Sequence, residues 1–176
     1  MSKALENFLL AQTDVTSLLK CFDDINGNDD STAPEVLKRA TLIMILTTWE
    51  TYVEDVASEL FDRKFGVLQG SHVGKYMEKN FQTELRRFNT PDSIKTKKLF
   101  LDFFGKDVVE SWTWANVDQK TACTQLNGWI KKRGDAVHRM DVNISGPHIV
   151  RRDELDKCQR FFNELVRKTD ETLEGL

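Results

Sequence analysis

Arg133 and His138 stand with four residues between them in the segment WIKKRGDAVHRM, Trp129 to Met140. An arginine side chain offers a planar fork of donors that matches the oxygens of a phosphate. A histidine side chain accepts and donates protons near neutral pH. Together they suit chemistry on a phosphodiester. In RNA the neighbouring 2′-hydroxyl is the nucleophile, so the protein need supply only proton transfer and a grip on the phosphate. One imidazole cannot take one proton and give another in the same step. A two-fold dimer that brings Arg133 and His138 of two chains together removes that difficulty. The other histidines, His72 and His148, have no arginine at matching spacing.

The same segment contains the tripeptide Arg133-Gly134-Asp135, which in an exposed, bent loop is an adhesion signal. Here it continues a helical pattern. On a helix from Asp118 to Met140, the residues Ala122, Leu126, Trp129, Ile130, Val137 and Met140 form one apolar stripe. Arg133 falls inside it. A charge on an apolar face is costly unless its head reaches water or meets an anion, and Glu50 is the first candidate for an ion pair. His138 sits about 140° around the helix from Arg133, on the flank of the stripe. Gly134, one turn before His138, costs a helix interior about 1 kcal/mol relative to alanine, which suggests clearance beside the imidazole. Lys131, Asp135 and Arg139 fall on the outer face at four-residue steps, as a solvated row of ion pairs would.

The elements that must position this pair read as helices. Only 3 Pro and 9 Gly occur in 176 residues, so obligatory breaks are few. The first helix runs from about Ser2 to Phe22, with Leu5, Phe8, Leu9, Val15, Leu18, Leu19 and Phe22 at helical spacing. A polar stretch leads to a capping box at Thr32 and Glu35, with Pro34 in the first turn. A long central helix follows to Phe65, apolar nearly all round in its middle, with Val36 at the start of its stripe. A third helix spans about Val73 to Phe88. Thr90 and Pro91 read as the N-cap and first residue of a fourth, which carries Ile94, Leu99, Phe100, Phe103 and Phe104 and stops at Gly105. KDVVESWTW, from Lys106, reads as a short helix. Asp118 caps the helix of the Arg–His pair, and a last helix spans Arg152 to Leu173. The expected architecture is all-α, a single-domain bundle of five or six helices covering residues 1–176.

Composition narrows the setting. A net charge of −3 argues against coating nucleic acid by bulk electrostatics, though it leaves room for a local basic rim. Lys131, Lys132, Arg139, Arg151 and Arg152 are the candidates for that rim and for contact with RNA. Cys21, Cys123 and Cys158 are odd in number and widely spaced, as in a reducing compartment. Neither a signal peptide nor a membrane span is visible, so a cytoplasmic location is expected. The four tryptophans suit core positions better than a base-stacking platform. Glu50, Glu54 and Asp55 are badly spaced for a metal pair, and neither a metal nor a cofactor is expected.

Arg133-x4-His138, late in a helical chain, resembles the signature of the HEPN superfamily. TTWETYVEDVASEL, Thr47 to Leu60, resembles the aromatic-Glu-x-Tyr segment of its RiboL-PSP-HEPN branch. GPHIVRRDELDKCQRFFNELV, Gly146 to Val166, resembles that branch's loop and last helix. The resemblance implies a dimeric, metal-independent endoribonuclease with Arg133 and His138 as catalytic pair. It also implies a toxin, phage-defence or stress setting, with a cognate inhibitor or defence-system partner. Many members carry a polar residue directly after the arginine. This chain has Gly134 there, and Asp135 one position later is the candidate for that role, with Glu50 as the other supporting side chain. The alternative is a non-catalytic helical module that binds a nucleotide, RNA or a protein through the same face. Residues 65–117 carry no motif that adds to the resemblance.

Overall fold

A computed structural model describes residues 1–27, 35–138 and 149–176. Among the described residues six α-helices follow one another: α1 Lys3–Asn26, α2 Glu35–Phe65, α3 His72–Arg87, α4 Ser93–Phe104, α5 Gln119–His138 and α6 Arg152–Glu174. No strand occurs among the described residues; the one bridge pairs Trp114 with Val117. The all-α bundle with a long second helix is what the pattern predicts.

At 31 residues α2 is the axis of the bundle, packed against α1, α5, α6 and α4. Leu42, Ile45, Trp49, Tyr52, Val53, Val56 and Leu60 are all buried, which explains why its middle is apolar around most of its circumference. Trp49 is the hub of one aromatic cluster, with the rings of Tyr52, Trp112 and Phe162 about it at 6.0, 6.1 and 6.1 Å. A second cluster fixes the far end of α2. Phe81 of α3 stacks on Phe61 at 4.3 Å and meets Phe103 and Phe104 of α4 edge-on. Tyr52 reaches the buried Asp170 of α6 at 3.5 Å, and burial first, then that carboxylate, pushes the phenol well above its ordinary range.

Several local expectations change. The α1 core face is Ala4, Phe8, Gln12, Val15, Leu19 and Phe22, whereas Leu9 is half exposed. Val36 and Ile94 are exposed too: the buried residues of those first turns are Lys38 in α2 and Ser93 and Thr96 in α4, which puts Val36 and Ile94 on the outer faces. KDVVESWTW makes a single 3₁₀ turn, Val109–Ser111, that sends Trp112 into the core to donate to Thr169 Oγ1 at 2.9 Å. The N-cap of α4 is Asp92, which accepts from Lys95 N at 2.8 Å, so Thr90 and Pro91 lie outside the helix. Asp118 does cap α5, taking the Thr121 N–H at 2.7 Å. The Thr32–Pro34 cap, Arg139, Met140 and His148 lie outside the described residues.

Candidate functional site

Helix α5 runs unbroken through Arg133-Gly134-Asp135 to His138, so the tripeptide is helix and not a displayed loop. Ala122, Leu126 and Ala136 are its buried residues. Counting about 100° per residue from Ala122, Arg133 returns to within about 20° of the centre of that face. Ala136 then falls about 40° to one side and Val137 about 60° to the other, beyond the contact. Val137 is accordingly 46% exposed, against the expected stripe. The arginine therefore stands where the helix meets the bundle.

Its head is held by two elements. Arg133 Nη2 lies 3.5 Å from Glu50 Oε2 of α2, and Nη1 donates to Thr90 Oγ1 at 3.0 Å. Glu50 Oε1 in turn accepts the Thr90 backbone N–H at 2.9 Å. Glu50, Thr90 and Arg133 close a ring across α2, the α3–α4 junction and α5. The side chains of Arg133 and Glu50 stay 24% and 20% exposed, so the arginine is anchored without being sealed off from solvent. Its Nε is buried with no hydrogen-bond partner among the described residues.

Glu50 is the partner that the apolar surroundings of Arg133 predict, whereas Thr90 is not foreshadowed by the sequence. Thr90 has a φ of +56°, a backbone state that a β-branched residue rarely adopts and that costs about 1–3 kcal/mol. Surrounding contacts hold it there. Trp49 Nε1 donates to Pro91 O at 2.9 Å, and Lys95 Nζ donates to Asn89 O at 2.6 Å. No local pattern signals this, because Thr90 followed by Pro91 reads equally well as the start of a helix.

His138 is the last residue of α5 and is exposed. Five residues of helix separate it from Arg133 by about 7.5 Å along the axis. A Cβ added at Gly134 would meet nothing within 4 Å, so the expected clearance beside the imidazole is not a need of the packing shown here. Asp135 is half-buried and Lys131 exposed. Much of the expected basic rim is engaged with carboxylates. Lys132 pairs with Glu154 at 2.6 Å and lies over the Trp129 ring. Arg151 reaches Asp153 at 3.3 Å, and Arg152 makes a two-armed contact with Asp23 at 2.8 and 2.7 Å and a third with Asp156 at 2.6 Å. The Lys132 ammonium holds the Glu154 carboxyl below the usual carboxylate range, and the Arg152 guanidinium does the same for Asp23. Glu54, one turn beyond Glu50, moves the other way: partial burial, then the Glu50 and Asp55 charges, raises its pKa.

Among the described residues, no group of three or more His, Cys, Asp or Glu side chains is placed to hold a metal ion. The cysteines are all free: Cys21 is exposed, Cys123 half-buried and Cys158 buried. No helix among the described residues is long and apolar enough to cross a membrane.

A helical bundle whose fifth helix presents an anchored arginine and an exposed histidine five residues on defines the class. The chain matches the RiboL-PSP-HEPN family over residues 11–175 and belongs to it. No curated protein and no solved structure matches.

Proposed function

We propose that this protein is a metal-independent endoribonuclease of the HEPN type, that residues 1–176 act as one domain, and that two copies assemble its active site. Arg133 and His138 are the catalytic pair. The observation that carries this reading is the anchored, partly exposed Arg133 side chain, held by Glu50 and Thr90 one helical segment before the exposed His138.

In the reaction, the imidazole of one protomer takes the proton of the RNA 2′-hydroxyl as that oxygen attacks the adjacent phosphorus. The bond to the 5′-oxygen breaks, and the protonated imidazole of the other protomer supplies that leaving oxygen with a proton. The Arg133 guanidinium stabilises the charge gathering on the non-bridging oxygens. The products are a 2′,3′-cyclic phosphate and a 5′-hydroxyl. Lys131, Lys132, Arg139, Arg151 and Arg152 form the rim proposed to guide the strand, with Asp135 in the polar role that many family members give to the residue directly after the arginine. A toxin or defence effector with a cognate inhibitor fits this activity, and that setting rests on family membership.

RNA incubated with the purified protein in excess EDTA is expected to be cut by the wild type and spared by His138→Ala. Equal cutting by the two proteins would overturn the assignment.

One observation favours a second reading, a non-catalytic module that binds RNA, a nucleotide or a protein. The Glu50–Arg133 pair ties α2 to α5 and would earn its place by stability alone. In that case Arg133→Ala lowers the melting temperature or weakens dimerisation, and no variant has nuclease activity.

A further inference from the structure

We infer that Thr90 is a positioning residue for Arg133: its hydroxyl and its backbone N–H together fix the guanidinium in the orientation that receives a phosphate. The inference rests on the nuclease reading for its catalytic consequence, but the geometry of the clamp stands apart from that reading.

An ion pair alone fixes a distance and leaves the guanidinium free to turn about its own bonds. Glu50 is 3.5 Å from Nη2, too far to set direction well. Thr90 adds what the carboxylate lacks. Its Oγ1 takes an N–H from Nη1 at 3.0 Å, so the two ends of the planar fork are held by different elements. The Thr90 N–H simultaneously holds Glu50 Oε1 at 2.9 Å, which keeps the carboxylate from rotating away from the arginine. One residue thereby orients both members of the pair.

The backbone at Thr90 is built for this. A φ of +56° lets the N–H of Thr90 face Glu50 while its hydroxyl meets Arg133. An ordinary threonine would leave that state, and the flanking contacts prevent it. Trp49 holds the carbonyl of Pro91, and Lys95 holds those of Asn89 at 2.6 Å and Thr90 at 3.5 Å. Trp49 and Glu50 are consecutive on α2, so a single turn of the central helix grips the junction on both sides of Thr90. Strain kept at a position that touches the functional pair points to a role beyond connecting two helices.

The test compares Thr90→Ser, which keeps the hydroxyl, with Thr90→Val, which keeps shape and β-branching and removes it. Two readouts are taken on the full-length protein. The first is the nitrogen-15 NMR spectrum of the Arg133 guanidinium without RNA. Wild type and Thr90→Ser should show slow rotation with distinct Hη signals, and Thr90→Val should show averaged ones. The second is RNA cleavage. Thr90→Val should lose roughly tenfold in kcat, the scale of one hydrogen bond to a charged group, with KM little changed and Thr90→Ser close to wild type. An Arg133 spectrum indifferent to Thr90→Val overturns the inference. So does equal loss of kcat in the serine and valine variants, since that reports backbone disturbance and not the hydroxyl. If the guanidinium responds as expected but wild type and His138→Ala both leave RNA intact, the clamp stands and the nuclease reading falls.

Discussion

Glu50 Oε2 and Arg133 Nη2 lie 3.5 Å apart although 83 residues separate them in the chain, and neither side chain is more than a quarter exposed. The pair joins the central helix to the helix proposed to carry the catalytic residues. Removing Glu50 therefore takes away the arginine's counter-charge and the acceptor of the Thr90 N–H together. Glu50→Ala is expected to lower unfolding free energy by about 1–3 kcal/mol, more than an exposed ion pair contributes. A urea-unfolding double-mutant cycle with Arg133→Ala should show coupling of about 0.5 kcal/mol or more. Strict additivity would mean that the two side chains act independently.

Gly134 sits inside α5 with open space where a Cβ would be. Gly134→Ala should stabilise the protein by up to about 1 kcal/mol, because alanine loses less backbone freedom on entering a helix. Thermal unfolding checks this. RNA cleavage in the same variant reports on the glycine's purpose. Loss of cleavage with gain of stability would locate the need for a bare backbone at the approach of RNA or of a second copy.

Glu54 has a raised pKa because partial burial, and then the neighbouring Glu50 and Asp55 charges, disfavour its ionised form. A carboxyl with a folded pKa above its unfolded value binds its proton more tightly when folded. Its contribution is thus most favourable below the unfolded value of 4.5 and declines as pH rises through the folded pKa. Glu54→Gln should raise the melting temperature at pH 7 and have a smaller effect at pH 4. The opposite ordering would show that the glutamate is favourably paired instead.

Glu154 has the reverse sign. Its hydrogen bond from Lys132 comes first among the causes that lower its pKa, and the Arg151 backbone N–H adds to it. The resulting stability is present above the unfolded value of 4.5 and is lost as pH falls through the lowered folded pKa. Lys132→Met should remove part of the stability at pH 7 and have little effect at pH 3, as urea unfolding at the two values would reveal. An equal loss at both would assign the effect to packing on Trp129 and not to the charge.

The order and type of the helices, the long apolar α2, the Asp118 cap and the Arg133–His138 spacing are all legible in the chain because each is local. A period of 3.6 residues, a capping side chain or a five-residue offset needs no knowledge of what lies opposite. The anomaly of Arg133 on an apolar face even points to Glu50, since a charge there demands a counter-charge. Other features depend on tertiary contacts. Val137 and Ala136 differ by one helical step, and only the angle at which α5 meets the bundle decides which is buried. Lys132 and Arg152 look like free cations until α1, α5 and α6 bring Glu154 and Asp23 to them. Thr90 is the clearest case. Its sequence reads as a helix start, yet the left-handed backbone that turns it toward Glu50 and Arg133 is imposed by Trp49, Glu50 and Lys95. Periodicity determined which residues lie on each helix face; the meeting of α2, α5 and the α3–α4 junction decided which polar groups those faces enclose, because an unfavourable backbone state persists only where several distant contacts hold it.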